Sequence, residues 1–463
     1  MTMENENLKF LEIPLPEDVL KLKWGGDFET LQKVLDDRIR DSRTPEALKE
    51  RLRLEQEISA RMPREYPYSW EAALERMRSE IDDFHDGELT ALWGENACDW
   101  IYKKGQVYFS ERFLENIIKT KPAYQERCKE QSAKKEREKE LLLLAENMQQ
   151  MREKGGRRLH MRLKTRLSLT EESAKRLCGK TLRVYMPLPV DACQIEQAEV
   201  ERITPEPIAV SNADFPQRTV VFEAVCRGDG SDVFETEVSF DNVTKFASPD
   251  PEKADLSQPA FDTEELAPHI RFTPFLRAVT EEAIGDETNP LLKAWKIYDY
   301  VTSHVRYSFV RSYSEFANIP EYVASSLKGD CGFQALLFIT MCRIAGIPAR
   351  WQSGLYATPD EVGSHDWAQY YVAPFGWLFA DPSFGGSAYR DGDEARRAFY
   401  RCNLDPYRIP YASEFQHDFC LPAPGLRNDP YDNQAGEVFC EGKALLFGQF
   451  RTERTLHIEE REI

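Results

Sequence analysis

The segment Gly329-Asp330-Cys331-Gly332-Phe333-Gln334-Ala335 begins the part of the chain that decides the fold. Apolar residues recur after it at three- and four-residue spacing, and Gly346-Ile347-Pro348 ends the pattern. We predict a buried helix that starts at Cys331, with Asp330 as its N-cap. The partial positive charge of a helix N-terminus favours thiolate over thiol, and the free backbone N–H groups there can stabilise the negative oxygen of a tetrahedral intermediate.

A histidine and an aspartate follow this helix in a segment with the alternation of a hairpin. His365-Asp366-Trp367-Ala368-Gln369-Tyr370-Tyr371-Val372 predicts one strand, Pro374-Phe375-Gly376 a turn, and Trp377-Leu378-Phe379-Ala380-Asp381 a second strand. The start of the first strand lies beside the end of the second, so Asp381 can orient His365 and favour its protonated form. A thiol, an imidazole and a carboxylate in this order predict a nucleophilic acyl-transfer site made of Cys331, His365 and Asp381.

Three further residues are candidates for contacting a substrate or its developing oxyanion. Gly332 lies in the first helical turn, where backbone N–H groups are free. Tyr307 could line the site or donate to an oxyanion, and a core position is the alternative. Trp367 could stack on a substrate, with packing inside the hairpin as the alternative. Asp366 is expected to form a local hydrogen bond.

These fragments, taken in order, resemble the transglutaminase-like superfamily of papain-related cysteine enzymes, which includes bacterial transglutaminase-domain proteins. The resemblance covers roughly residues 290–390 and rests on Gly329-Asp330-Cys331-Gly332, Arg343-Ile344-Ala345-Gly346-Ile347-Pro348-Ala349-Arg350, His365-Asp366-Trp367, Gly376-Trp377 and Asp381-Pro382-Ser383. It implies a papain-like α+β core in which a helix-borne cysteine packs on an antiparallel sheet. It also implies that Cys331 is the nucleophile, His365 the acid/base and Asp381 the orienting residue. Superfamily members include crosslinkers, cysteine proteases, amidases, peptide N-glycanases and inactive scaffolds.

The rest of the chain predicts further domains around this core. Apolar residues at helical spacing dominate up to residue 125, and period-two alternation dominates from about 179 to 248. The basic stretch of about 126–167 predicts a solvated helix or, alternatively, a contact strip for an acidic partner. We therefore predict an α+β chain with a helical domain over 1–125, a charged helical connector over 126–178, a β-sandwich-like domain over 179–250, a catalytic core over 260–400 and a C-terminal extension over 401–463 that packs on the core. In that extension, Asp429-Pro430-Tyr431-Asp432-Asn433 predicts a turn-rich loop or a lid over the cleft.

The amino-acid composition of the chain argues against several classes of function and of binding partner. The chain has 463 residues, which suffice for several domains, and its net charge of −19 argues against nucleic-acid and anionic-membrane binding. The first residues show no secretory signal and no apolar run is long enough for a membrane span, so we expect a cytoplasmic location. Ten cysteines are present without a Cys-x-x-Cys pair, and no acidic loop resembles a calcium site. We expect no metal and no cofactor.

Three hypotheses of function follow. The favoured one is a cysteine hydrolase, a protease or amidase, that cleaves an amide in a protein or peptide through a thioester. The first alternative is acyl transfer from a protein glutamine to an amine, which shares the first half-reaction. The second alternative is a non-enzymatic interaction scaffold with a degenerate core, in which the helical N-terminal region binds a protein partner.

Overall fold

The structure, a computed structural model, describes residues 5–130, 132–192 and 194–462. It confirms the α+β fold class, with a helical N-terminal region followed by antiparallel sheets and a mixed helix-and-sheet core. Across these residues, none of the helices combines the length and the apolar character needed to cross a bilayer.

The N-terminal region consists of short helices and a three-stranded sheet of order β1-β3-β2. Its elements are α1 (Glu17–Gly25), α2 (Phe28–Arg40), α3 (Glu46–Arg61), β1 (Tyr68–Ser69), α4 (Trp70–Glu80), α5 (Asp86–Gly94), β2 (Trp100–Lys103), β3 (Gln106–Phe109), α6 (Phe113–Thr120) and α7 (Pro122–Arg127). Lys104 and Gly105 join β2 to β3, and both have positive φ, 50° and 77°. Two positive φ values are typical of the two-residue turns that suit the twist of a hairpin.

This helical region packs directly on the core. Leu54, Ile58 and Tyr66 belong to the same buried cluster as the apolar residues that follow Cys331. The backbone N–H of Phe309 donates to Asn116 Oδ1 at 2.9 Å. The helical region therefore shares an apolar core with the segment that carries the predicted nucleophile.

The basic stretch contains a strand where the prediction was a helical connector. The helix is confirmed for α8 (Ser132–Lys154), but the prediction is wrong for β4 (Gly156–Leu169). Leu159, Met161, Leu163 and Leu167 are buried along β4, whereas Arg162 and Arg166 between them are exposed. Side chains of a strand alternate between two faces, so basic residues can cover one face while apolar residues fill the other. The density of charge obscured this period of two.

Short strands and one helix follow β4, as the alternation predicts. They are α9 (Glu171–Leu177), β5 (Thr181–Pro187), β6 (Ile195–Thr204), β7 (Ala209–Val210), β8 (Thr219–Val225) and β9 (Val233–Lys245). β4 pairs with β9 over thirteen residues, and β5 pairs with β8. Leu163 of one sheet and Val184 of the other belong to one buried cluster, as expected of a β-sandwich.

The core consists of helices packed on a four-stranded antiparallel sheet of order β14-β13-β12-β15. Its elements are α10 (Pro274–Ile284), α11 (Pro290–His304), β10 (Arg306–Tyr307), α12 (Ile319–Ser326), β11 (Lys328–Gly329), α13 (Cys331–Ile344), β12 (Ala349–Ala357), β13 (Val362–Val372), β14 (Gly376–Ala380), α14 (Pro382–Arg390), α15 (Glu394–Phe399) and β15 (Arg408–Ala412). α13 is buried from Gly332 to Cys342. A helix that is apolar all round requires such burial, and the sheet and the neighbouring helices provide it.

The end of the chain belongs to two parts of the molecule. β15 and the buried Tyr431 extend the core, as predicted for the C-terminal extension. However, β16 (Glu437–Cys440), β17 (Lys443–Ala444) and β18 (Phe450–Arg461) complete the two sheets of the sandwich, in the orders β17-β16-β5-β8-β7 and β18-β4-β9-β6. The expected C-terminal extension packing on the core did not include this second place in the sandwich, because pairing between sequence-distant strands leaves no local pattern.

Candidate active site

Cys331 is the first residue of α13, at the end of the short strand β11. Asp330 caps the helix: its Oδ1 accepts a hydrogen bond from the Phe333 backbone N–H at 3.0 Å, as predicted. The same oxygen accepts a hydrogen bond from the Tyr313 hydroxyl at 2.7 Å. Cys331 as a residue is partly exposed at the start of the helix. The start of α13 therefore presents a sulfur and free backbone N–H groups at one point.

The sulfur has a hydrogen-bond partner that the sequence did not single out as functional. Cys331 Sγ donates to Asp366 Oδ2 at 3.3 Å. The other carboxylate oxygen, Oδ1, accepts from Gln434 Nε2 at 2.7 Å, and that nitrogen also donates to the His365 carbonyl at 3.1 Å. The thiol thus contacts the residue that directly follows His365 on β13.

His365 and Asp381 come together as the hairpin predicts. His365 Nε2 lies 2.8 Å from Asp381 Oδ2, and that oxygen also accepts a hydrogen bond from Arg408 Nη2 at 3.0 Å. Arg408 is fully buried and forms a second ion pair with Asp405 at 3.1 Å. The carboxylate of Asp381 is therefore shared between an imidazole and a guanidinium.

Among the described residues, the sulfur and the imidazole do not form a hydrogen bond with each other. His365 and Asp366 are adjacent in an extended strand, so their side chains point to opposite faces of the sheet. The imidazole packs against Phe384, with ring centroids 5.0 Å apart, while Asp366 contacts Cys331. Because Nε2 is bound to Asp381, the nitrogen available to a thiol is Nδ1.

Burial and charge determine the protonation of these groups. Burial, followed by the carboxylates of Asp366 and Asp330, raises the pKa of Cys331 well above its usual value. Burial lowers the pKa of His365, and Asp381 only partly opposes this effect. Burial alone would raise the pKa of Asp381, but His365 and Arg408 outweigh it and the pKa falls. These directions favour a neutral thiol and a neutral imidazole, contrary to the expected thiolate and imidazolium, because the field of one helix end is smaller than the cost of burying charge.

The three substrate candidates have different surroundings. Tyr307 lines the cavity beside Cys331. Gly332 is buried, and a Cβ at this position would lie only 2.1 Å from the Tyr313 hydroxyl oxygen. Trp367 is fully buried and donates to Gln352 Oε1 at 2.6 Å, which favours the packing alternative over substrate stacking.

Sequence reasoning missed Tyr313, Arg408 and Gln434. Tyr313 lies in a short 3-10 helix (Tyr313–Glu315), Arg408 on β15, and Gln434 just after the predicted loop. Neither spacing nor a local motif marks these residues, because each reaches the site only through tertiary packing.

A cavity of about 760 Å³ lies beside Cys331 and is lined by three parts of the chain. Its walls include Arg112 and Lys119 from the helical region, Tyr307 and Cys331 from the core, and Asp429 and Asp432 from the C-terminal loop. The loop predicted as a possible lid is anchored there by the buried Tyr431, whose hydroxyl lies 2.7 Å from His269 Nε2. Over the described ranges, no group of three or more His, Cys, Asp or Glu side chains is arranged to hold a metal ion.

Comparisons with known proteins agree with this geometry at the family level. Residues 277–382, which include Cys331, His365 and Asp381, match the family model of the transglutaminase-like superfamily. An uncharacterised protein from Haemophilus influenzae is 27% identical over 140 residues, a match that covers 25% of this chain and 38% of the relative's own length.

Two solved structures match this chain at low sequence identity. One is a candidate cysteine protease from Cytophaga hutchinsonii, 13% identical, with 66% of this chain and 91% of that chain covered and a TM-score of 0.37. The other is the periplasmic domain of TgpA from Pseudomonas aeruginosa, 16% identical, with coverage of 54% and 94% and a TM-score of 0.27. The family match, together with the helix-borne cysteine and the histidine–aspartate hairpin, establishes that the chain contains a transglutaminase-like domain.

Proposed function

We propose that this protein is a cysteine hydrolase that cleaves an amide bond in a protein or peptide through a thioester on Cys331. The observation that carries the proposal is the 2.8 Å pair of His365 and Asp381 on the hairpin whose first strand also contacts the sulfur of Cys331. A nucleophile, a base and a group that orients the base are the parts that nucleophilic acyl transfer requires.

The proposed reaction has two halves, formation of a thioester on Cys331 and its hydrolysis by water. Cys331 Sγ attacks the amide carbon while its proton passes to His365 Nδ1, the nitrogen that Asp381 leaves available. The C–N bond then breaks, the departing amine takes the proton from His365, and a thioester remains. Water attacks the thioester, a carboxylic acid leaves and the thiol is restored. Because the imidazole and the Asp366 carboxylate lie on opposite faces of β13, this step requires that substrate binding reorient the start of β13 so that Nδ1 of His365 replaces Asp366 at the sulfur.

The oxyanion of the tetrahedral intermediate has donors close to the sulfur. The backbone N–H groups of the first turn of α13, including that of Gly332, have no partner within the helix. The hydroxyl of Tyr307 is a second candidate donor, because burial and the nearby Cys331 raise the pKa of this phenol well above its usual value and keep it protonated.

Hydrolysis is favoured over transfer to an amine because of the character of the cavity. Most of the side chains that line it are charged or polar, among them Glu65, Glu111, Arg112, Lys119 and Glu361. Such a lining is compatible with water, whereas acyl transfer requires that water be excluded from the thioester.

The test combines peptide cleavage with amine incorporation. Wild type, Cys331→Ala and Cys420→Ala proteins are incubated with a peptide mixture and a fluorescent primary amine, and products are identified by mass spectrometry. We expect new carboxyl termini with wild type and with Cys420→Ala, whose exposed cysteine serves as the control, and none with Cys331→Ala. Cysteine-dependent amine incorporation without free carboxylate would instead favour the acyltransferase. Cleavage that survives in Cys331→Ala would overturn the proposal.

We also propose a cytoplasmic location and a protein or peptide partner as substrate. Fractionation of the source cells, followed by immunodetection, tests the location. Recovery of the protein outside the cytoplasm would contradict it.

A further inference from the structure

We infer that Asp366 is a fourth catalytic residue, which holds the thiol proton of Cys331 in the free protein, before a substrate brings the sulfur to His365, and which sets the pH at which the free sulfur becomes nucleophilic. The inference rests on the proposed function in one respect, that Cys331 is the nucleophile. It adds a residue beyond the predicted set of Cys331, His365 and Asp381.

The first support is the geometry around the carboxylate. Asp366 is 5% exposed, and its Oδ2 accepts the hydrogen bond from Cys331 Sγ at 3.3 Å. Gln434 Nε2 holds the other oxygen at 2.7 Å. Gly332 allows this approach, because a Cβ there would lie 2.8 Å from Asp366 Oδ2. The carboxylate is thus fixed from two sides and directed at the reacting atom.

The second support is the charge that surrounds this pair. Carboxylates from two elements face Asp366: Asp330 at the start of α13, and Asp429 and Asp432 from the C-terminal loop. Two of the cationic groups that line the cavity act on this pair: Lys119 interacts with Cys331, and Arg112 interacts with Asp330. The phenols of Tyr307 and Tyr313 also face the sulfur. Burial, and then the charge of Asp330, raise the pKa of Asp366 well above its usual value. Burial and the charge of Asp366 likewise raise the pKa of Cys331.

A thiol and a carboxyl group that both have raised pKa values can share one proton. In one arrangement the thiol is neutral and Asp366 is charged; in the other, Asp366 carries the proton and donates it to a thiolate. The proton moves from Sγ to Oδ2, and no other atom changes partner. Two such interacting groups titrate as a pair in two steps. Between the two steps the pair holds one proton, so the fraction of protein that carries a thiolate does not change with pH. The rate at which the thiol is alkylated is therefore constant over this pH range.

The experiment measures alkylation of Cys331 by iodoacetamide across pH, quantified on the Cys331 peptide by mass spectrometry. Wild type is expected to give a plateau followed by a second rise. Asp366→Asn keeps the size of the side chain and removes its charge. The alkylation rate of this variant should therefore rise with pH in a single step, at a lower pH than the second rise of wild type. Each unit by which the thiol pKa falls gives about tenfold more thiolate at a pH below that pKa. Because a less basic thiolate is also less nucleophilic, the net gain in rate is about threefold per unit.

Asp432→Asn is the matched control, since the buried Asp432 interacts with the carboxyl group of Asp366 through its side chain but has no hydrogen bond to the sulfur. It should shift the profile less than Asp366→Asn and retain both steps. An unchanged profile in Asp366→Asn, with intact circular dichroism, would refute the inference. If Asp366→Asn does not fold, thiolate absorbance of wild type minus that of Cys331→Ala serves instead: two steps support the inference, and one step near the usual thiol pKa refutes it.

Alkylation requires no substrate, so the outcome is separate from that of the proposed function. Amide cleavage that persists in Cys331→Ala overturns the hydrolase whatever the alkylation profile shows. A single-step profile overturns the role of Asp366 even if cleavage depends on Cys331.

Discussion

Arg408 carries a charged side chain in a fully buried position. Its side chain is fully buried, with Asp381 at 3.0 Å and Asp405 at 3.1 Å, and its guanidinium lies 4.1 Å from the centre of the Phe384 ring. Two carboxylates compensate the buried cation, which would otherwise be very costly. The guanidinium keeps Asp381 ionised and, at the same time, opposes protonation of His365.

Replacing Arg408 by Gln should therefore change both stability and pH dependence. Loss of one partner from a buried ion pair should lower the free energy of unfolding by about 3–5 kcal/mol, measured by urea denaturation. The pKa of His365 should rise, because Arg408 lowers it, so the acid side of the kcat/KM profile should move to higher pH.

The control for this prediction is Arg183→Gln, which removes a partly exposed ion pair with Glu223. Arg183→Gln should lower the free energy of unfolding by less than about 1 kcal/mol and leave the pH profile of kcat/KM unchanged. A profile that stays in place in a folded Arg408→Gln protein would contradict the role assigned to Arg408.

Gly332 provides a second residue-scale prediction. A methyl group at this position would lie 2.1 Å from the Tyr313 hydroxyl oxygen, so Gly332→Ala should separate Tyr313 from Asp330 and lower the free energy of unfolding by about 1–3 kcal/mol, measured by urea denaturation. Removing the hydroxyl in the double variant Gly332→Ala/Tyr313→Phe should restore part of this stability.

Gly87 is the matched control, since nothing lies within 4 Å of a Cβ added to this glycine in α5. Gly87→Ala should be neutral or stabilise the protein by up to about 1 kcal/mol, because alanine favours the helix. An unchanged free energy of unfolding in Gly332→Ala would show that the close approach of Tyr313 to this glycine does not contribute to stability.

At the scale of elements, β4 shows how charge can obscure a strand. It pairs with β9 on one side and with β18 on the other, so it is an interior strand of its sheet. Its basic side chains form ion pairs with acidic ones on neighbouring strands, such as Lys164 with Glu235 at 3.1 Å. Opposite charges on paired strands stabilise a sheet and leave the other face free for apolar packing.

This arrangement predicts an alternating response to substitution along β4. Leu163→Ala should lower the free energy of unfolding by about 2–5 kcal/mol, because it leaves a cavity in the sandwich. Lys164→Ala, the adjacent control, should change the free energy of unfolding by no more than about 0.5–1 kcal/mol. Thermal unfolding measures both, and equal losses at the two positions would contradict the period of two.

At the scale of the whole molecule, the cavity is assembled from segments that are far apart in sequence. Asn116 in α6 is 2% exposed and holds this assembly: its Oδ1 accepts from the Phe309 backbone N–H, and its Nδ2 donates to the Ala97 carbonyl at 2.6 Å. The helical region is therefore a wall of the cavity, and its predicted role in binding a separate protein partner stays a prediction.

Asn116→Ala should leave the partly buried Phe309 N–H without its protein partner, which should lower the free energy of unfolding by about 1 kcal/mol. It should also raise KM more than it lowers kcat, since the cavity wall moves and the reacting groups do not. Asn212→Ala, at an exposed position, is the control and should change neither value. A pure loss of kcat would place Asn116 among the groups that affect the chemistry.

The sequence alone determined the local features of this protein: the capped helix that starts at Cys331, the hairpin that pairs His365 with Asp381, and the fold class. Each depends on periodicity or on contacts between neighbours in the chain, and such information is local. Only the tertiary structure decided that Asp366 contacts the sulfur, that Arg408 shares Asp381, and that the last strands complete the sandwich. Those outcomes depend on burial and on which distant segments pack together, and burial is also what reversed the expected charges of the thiol and the imidazole.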